Sequence, residues 1–123
     1  TADAKVSGVT VSDTAANITA KIADLIAAGT KLTSIAETGT ISTVALTAAQ
    51  YSTTLTAKFS NFTATVSGVA AANAATVLTN TKVASIAVSD TAANLATNLN
   101  ALQTAGTKLT TITNADNGVL SIR

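Results

Sequence analysis

Seven residues, VSDTAAN, stand at 11–17 and again at 88–94. Aligning 6–35 with 83–112, an offset of 77, gives 16 identities in 30 positions. A second shared block, AGTKLT, closes each copy at 28–33 and 105–110. Matching letters at this length ask for matching local structure, and similar units bury their apolar faces best against one another. That constraint points to an array of strand–helix units rather than an irregular globule.

Between the two shared blocks the letters vary while the apolar spacing persists. Ile18, Ile22, Leu25 and Ile26 in the first copy correspond to Leu95, Leu99 and Leu102 in the second. Steps of four and seven place these on one face of a helix. The shared blocks then read as its ends. Asp13 and Asp90, or the preceding Ser12 and Ser89, occupy the N-cap, where a side-chain oxygen accepts unpaired backbone N–H groups at the positive end of the helix dipole. Gly29 and Gly106 stand where a left-handed residue stops a helix, with Lys31 and Lys108 just beyond. Each copy therefore predicts cap, amphipathic helix, glycine stop: helices over 14–28 and 91–105. Lys21 and Asp24 make an i, i+3 surface pair.

Strands flank these helices. VASIAVSD (83–90), ISTVALT (41–47), LTSI (32–35) and LTTI (109–112) carry or begin one apolar-x-x-apolar-x-apolar pattern. The middle of the chain adds TAAQ (47–50), a capping box with Thr47 as N-cap and Gln50 three residues on, which predicts a helix over 47–60. FTATVSGV (62–69) alternates as a strand, and AAANAATVL (70–78) opens a short helix over 70–79. The remaining strands are expected at 6–11, 32–37, 42–46, 62–67, 84–88, 109–113 and 119–122. The last segment, VLSIR (119–123), matches 43–47, so the chain stops where a further helix would begin. The expected fold is α/β: a solenoid-like stack of short strands and amphipathic helices over 1–123 as a single repeat domain, with copies at 6–35 and 83–112 and intervening units at 36–82. Single helices between strands imply parallel pairing. The turns at 37–40 and 114–118 hold no helix and leave hairpins, and hence a mixed sheet, open.

Composition narrows the function. Seven basic residues stand against six acidic ones, without a basic cluster, which disfavours nucleic acid as a partner. His and Cys are absent, and with them the usual nucleophile–base pairs and zinc ligands. The acids are too dispersed to suggest a glycosidase pair, so no enzyme is expected. No apolar run nears the roughly 18 residues of a membrane span, and membrane insertion is not expected. The opening TADAKVSG has neither a basic nor an apolar stretch of the signal-peptide kind and no initiating Met, consistent with a mature product or a piece of something larger. The core must be built from Ala, Val, Leu and Ile, since Tyr51, Phe59 and Phe62 are the only aromatics.

One segment suits a metal. In NADNG (114–118), Asn114, Asp116 and Asn117 offer oxygen ligands around a glycine turn, a weak calcium candidate because calcium wants six to eight oxygens and several carboxylates. The same letters are ordinary turn chemistry.

VSDTAANLATNLNALQTAGTKLTTI (88–112) is similar to a β/α repeat found in very large secreted bacterial proteins of the hemolysin-type, RTX-like or adhesin-like kind. The likeness extends over 6–35, 41–50, 62–79 and 83–112. It implies export and a place at the bacterial cell surface or in extracellular material. The glycine-aspartate nonapeptides of calcium-binding RTX arrays are absent. The leading expectation is a structural module of an adhesin stalk, surface layer or filament, associating with itself end to end or by sheet edge. The alternative is a calcium-tuned adhesive domain for a glycan or protein ligand.

Overall fold

The computed structural model describes residues 4–122. Strand β1 (Val9–Asp13) leads into helices α1 (Ala15–Ala20) and α2 (Ile22–Ala27), then into β2 (Leu32–Glu37) and β3 (Thr43–Thr47). A single helical turn, α3 (Thr53–Thr56), precedes β4 (Thr63–Val69), and α4 (Ala74–Leu78) precedes β5 (Val83–Asp90). Helices α5 (Ala92–Thr97) and α6 (Leu99–Ala105) then lead to β6 (Leu109–Asn114).

The strands pair in chain order. β1 and β2 form one sheet, and β3-β4-β5-β6 form a second. Every strand pairing among the described residues is parallel. The hairpin option at the two helix-free turns therefore does not apply. From β2 the chain passes into the other sheet at β3, held by Glu37, whose Oε2 accepts the Ser42 N–H at 2.7 Å. One parallel bridge, Ile35 to Phe59, extends β2 by a further rung.

Helical periodicity and the fold agree on most of the buried face, except that Ile26 is 41% exposed, and they differ on continuity. Ile18 and Ile22 are buried in the first copy, Leu95 and Leu102 in the second. Each predicted helix breaks into two, at Lys21 (φ −108°, ψ 12°) and at the matching Asn98 (φ −103°, ψ 14°). The helix expected over 47–60 is largely absent. Its capping box forms, with Gln50 Oε1 accepting the Thr47 N–H at 3.0 Å and Thr47 Oγ1 accepting the Gln50 N–H at 3.3 Å. It closes only a turn, because Ser52 is extended (φ −153°) and restarts the helix as its own N-cap. Three threonines in the following TTLT, stiff at χ1, give that restart little to propagate on. The helix over 70–79 begins as a 3₁₀ turn, Ala71–Asn73, before α4.

Strand alternation places Val44, Leu46, Ala64, Val66, Val83, Ile86 and Val88 inside, each at most 2% exposed. The buried apolar residues join into one cluster around Phe59 and Phe62, stacked with ring centroids 4.3 Å apart. Complete burial of a residue such as Ile35 or Val66 stabilises the fold by roughly 1.5–3 kcal/mol. Residues 119–122 do not form the expected strand; Val119 is 92% exposed and Ile122 62%. A strand needs a neighbour to satisfy its backbone, and this segment has none.

Candidate functional site

The two heptapeptides share the polar contacts that cap their helices. In each, the threonine is the N-cap: Thr14 Oγ1 accepts the Asn17 N–H at 3.4 Å and Thr91 Oγ1 accepts the Asn94 N–H at 3.3 Å. The cap therefore lies one residue later than the sequence pattern suggested, and the aspartate braces it. Asp13 Oδ1 accepts the Thr14 N–H and an Asn17 side-chain N–H, both at 2.7 Å. Asp90 Oδ1 does the same with Thr91 at 2.8 Å and Asn94 at 2.7 Å. Valine for the strand, aspartate as brace, threonine as cap and asparagine to close the brace account for why these letters recur together.

The two aspartates differ in one respect. Asp90 Oδ2 also accepts the Ala71 N–H at 2.9 Å, tying the end of β5 to the backbone that follows β4. Among the described residues Asp13 makes no such bond; its contacts there are those of Oδ1. The same link appears once more: Asp116 Oδ1 accepts the Ala92 N–H at 3.1 Å, tying the segment after β6 to the start of α5. Carboxylates thus stitch successive strand–helix units at the strand ends. The donors hold all three acids below the ordinary aspartate pKa of 3.8: chiefly the Asn17 side chain for Asp13, the Asn94 side chain for Asp90, and the Ala92 N–H for Asp116.

The NADNG turn is built from the same bonds. Asn114 Nδ2 donates to the Gly118 carbonyl at 2.7 Å, and Asp116 Oδ1 also takes the Gly118 N–H at 3.0 Å. Asn117 sits at φ 56°, in the left-handed region. Asp116 Oδ1 is engaged with two backbone donors, the Ala92 and Gly118 N–H groups. Among the described residues no group of three or more acidic, His or Cys side chains is placed to hold a metal ion. Gly29 and Gly106 take positive φ, 59° and 58°, at their helix ends, a region that favours glycine; Gly106, with ψ −134°, is not the expected left-handed helical stop. Lys21 and Asp24 lie 3.7 Å apart, both exposed.

Sequence reasoning missed two asparagines that hold units together. Asn61 clamps the Glu37 backbone on both sides, Oδ1 accepting its N–H at 2.8 Å and Nδ2 donating to its carbonyl at 2.9 Å. The amide side chain here continues the parallel rung between Ile35 and Phe59. Glu37 is buried, and its Oε1 has no hydrogen-bond partner. Asn80 Nδ2 reaches Thr56 Oγ1 at 2.8 Å and Tyr51 Oη at 3.1 Å, while its Oδ1 caps the Lys82 N–H at 2.9 Å. An asparagine beside an apolar segment was the available signal, but the partners it ties together, Glu37 for Asn61 and Thr56 and Tyr51 for Asn80, lie 24 or more residues away.

Of the surface grooves, one of about 530 Å³ runs between the start of β3 and the start of β4 and is lined by Ser42, Asn61, Phe62 and Lys82. Lys82 is its only charged side chain, so it offers no acid–base pair. No helix among the described residues is long and apolar enough to cross a membrane. Comparison with protein-family models, curated proteins and solved structures finds no match.

What remains as the site is a pair of faces. On β1, Val9 and Val11 are half-buried where the matching Ile86 and Val88 of β5 are 1% exposed. On β6, Ile112 is 47% exposed where the matching Ile35 is fully buried. In both cases the difference is the neighbour: β5 has β4 beside it, and Ile35 has Phe59.

Proposed function

We propose that this chain is a stacking module, a structural and non-catalytic part of a secreted bacterial cell-surface or extracellular assembly such as an adhesin stalk, surface layer or filament. It is a solenoid-like array in which each strand–helix unit is the platform for the next. The observation that supports this reading most is the sheet order: within each of the two sheets strands pair in parallel in chain order, and β1 and β6 are edge strands, each paired on one side only among the described residues. Open parallel edges flanked by apolar side chains associate, and a sparse, balanced charge resists association weakly. The sequence likeness to repeats of large exported proteins supports the location.

The chain therefore associates with itself through these edges. Sedimentation and negative-stain electron microscopy across a concentration series test this. Elongated, concentration-dependent oligomers are expected. Thr10→Lys with Ile112→Lys, which place a cation on each open strand, should weaken association at least tenfold. A monomer that persists at every concentration, or oligomers indifferent to both substitutions, would refute the reading. Calcium added to the same series distinguishes the adhesive-domain alternative, which requires a calcium-dependent change.

A further inference from the structure

We infer that both end faces are docking surfaces for one and the same partner, a strand–helix unit of the kind formed by residues 48–82, and that the opposite end of a second copy is the poorer fit. The inference rests on the reading that these edges stack, and it names an occupant that completes them better than the second copy through which the chain associates with itself.

Each open face has an occupied equivalent elsewhere in the chain. Residues 83–114 correspond to 6–37 at the offset of 77. Their polar contacts correspond too: Thr33 Oγ1 donates to the Val9 carbonyl at 3.0 Å and Thr110 Oγ1 to the Ile86 carbonyl at 3.0 Å. The Thr38 N–H donates to the Asp13 carbonyl at 2.9 Å and the Ala115 N–H to the Asp90 carbonyl at 2.8 Å. Since β1 matches β5, the edge that β1 leaves open is the edge on which β5 receives β4. The internal pairing supplies the register: Val66 opposite Ile86 and Val69 opposite Val88 become Val66 opposite Val9 and Val69 opposite Val11. Asp13 Oδ2, which takes no hydrogen bond among the described residues, is then the acceptor for an Ala71-type N–H, as in Asp90.

The other face asks for the same unit from its opposite side. Since β6 matches β2, its open edge is the one on which β2 receives Phe59, with Asn61 clamping the following backbone. Ile112 would be covered as Ile35 is. VLSIR matches TVALT (43–47), the strand that pairs with β4, so Leu120 and Ile122 take the places of Val44 and Leu46 opposite Ala64 and Val66. The two sheets are then fragments of one pattern. The β3–β6 sheet holds the first four members of a five-member sheet, and β1, β2 and Phe59 are the last three members of another. Two copies meeting end to end would set β6 against β1 with the 48–82 unit missing between them.

The full chain extended after Arg123 by a second copy of residues 48–82 tests this, with a scrambled extension of the same composition as control. Hydrogen exchange at 109–122 should slow at least tenfold and the thermal midpoint should rise with the native extension only. The complementary extension places a copy of 48–77 before Thr1, where residues 1–5 correspond to 78–82, and should protect Val9–Asp13. In the first extension, replacing the copied Asn61 by Ala should reduce the protection. If neither extension protects its strand, or the scrambled one does equally well, the inference is overturned. Docked extensions with an unextended chain that stays monomeric would sink the self-association reading alone. Oligomers of the unextended chain alongside unprotected extensions would sink this inference alone.

Discussion

Ile35 and Ile112 are the same residue at matching positions of the two copies, and they should not matter equally. Ile35 is fully buried and sits on the rung shared with Phe59. Truncating it to Ala removes buried methylenes and leaves a cavity that the surrounding sheet closes only in part, at a cost of about 3 kcal/mol within the usual range of 2–5. Ile112 is 47% exposed on the open edge of β6. Its Ala variant forfeits about half the transfer term, with solvent entering in place of a cavity, so roughly 0.5–1 kcal/mol is lost. For a domain of this size about 3–5 °C accompanies each kcal/mol. Ile35→Ala should lower the thermal midpoint by about 10 °C or more, and Ile112→Ala by under about 5 °C. Urea unfolding of both, at protein concentrations low enough to suppress association, gives the same comparison through the transition midpoints. Equal losses would mean that the neighbouring unit does not decide burial at this position, and the argument from matched environments would fail.

Three further outcomes follow from particular contacts. Gly106 adopts φ 58°, ψ −134°, and a Cβ there would meet nothing within 4 Å, so Gly106→Ala should cost about 1–3 kcal/mol through backbone strain alone, read by thermal unfolding. Asn80→Ala removes one donor from the buried Thr56 Oγ1, which still donates to the Ser52 carbonyl at 3.0 Å, and removes the acceptor of the Lys82 N–H; it should cost about 1 kcal/mol, with exchange quickening first around α3 and the start of β5. Asp13, Asp90 and Asp116 have folded pKa values below their ordinary 3.8, so the stability they contribute is in place above that value and lost as pH falls through the lower folded values. The urea midpoint should therefore hold from neutrality to about pH 5 and drop below about pH 4, and the triple Asp→Asn variant should show a shallower drop.

The periodic features of this fold were legible in the sequence because each reflects a local rule. The alternation of Val83, Ile86 and Val88 marked β5, and Ile18, Ile22, Leu95 and Leu102 marked the inward helix faces. Gly29 and Gly106 marked the stops. What escaped was set partly by competing local signals and partly by partners distant in the chain. The Thr47 capping box promised a helix, and a turn formed instead because Ser52 recaps the chain two residues beyond it. The cap moved from Asp13 to Thr14 because the aspartate is engaged with Asn17. Asn61 and Asn80 act across 24 residues, a distance that no local pattern encodes. The candidate faces were visible only as a suspicion raised by the repeat; their geometry required knowing which edge of β5 is occupied.

Residue-resolved hydrogen exchange on the unmodified chain, in dilute and concentrated solution, puts open-edged stacking most directly at risk. Protection of β4 and β5 should be high and independent of concentration, while amides of Val9–Asp13 and Leu109–Asn114 should gain protection only as the chain associates. Strand-edge exchange that ignores concentration, or association that protects the helices and leaves β1 and β6 unchanged, would contradict it.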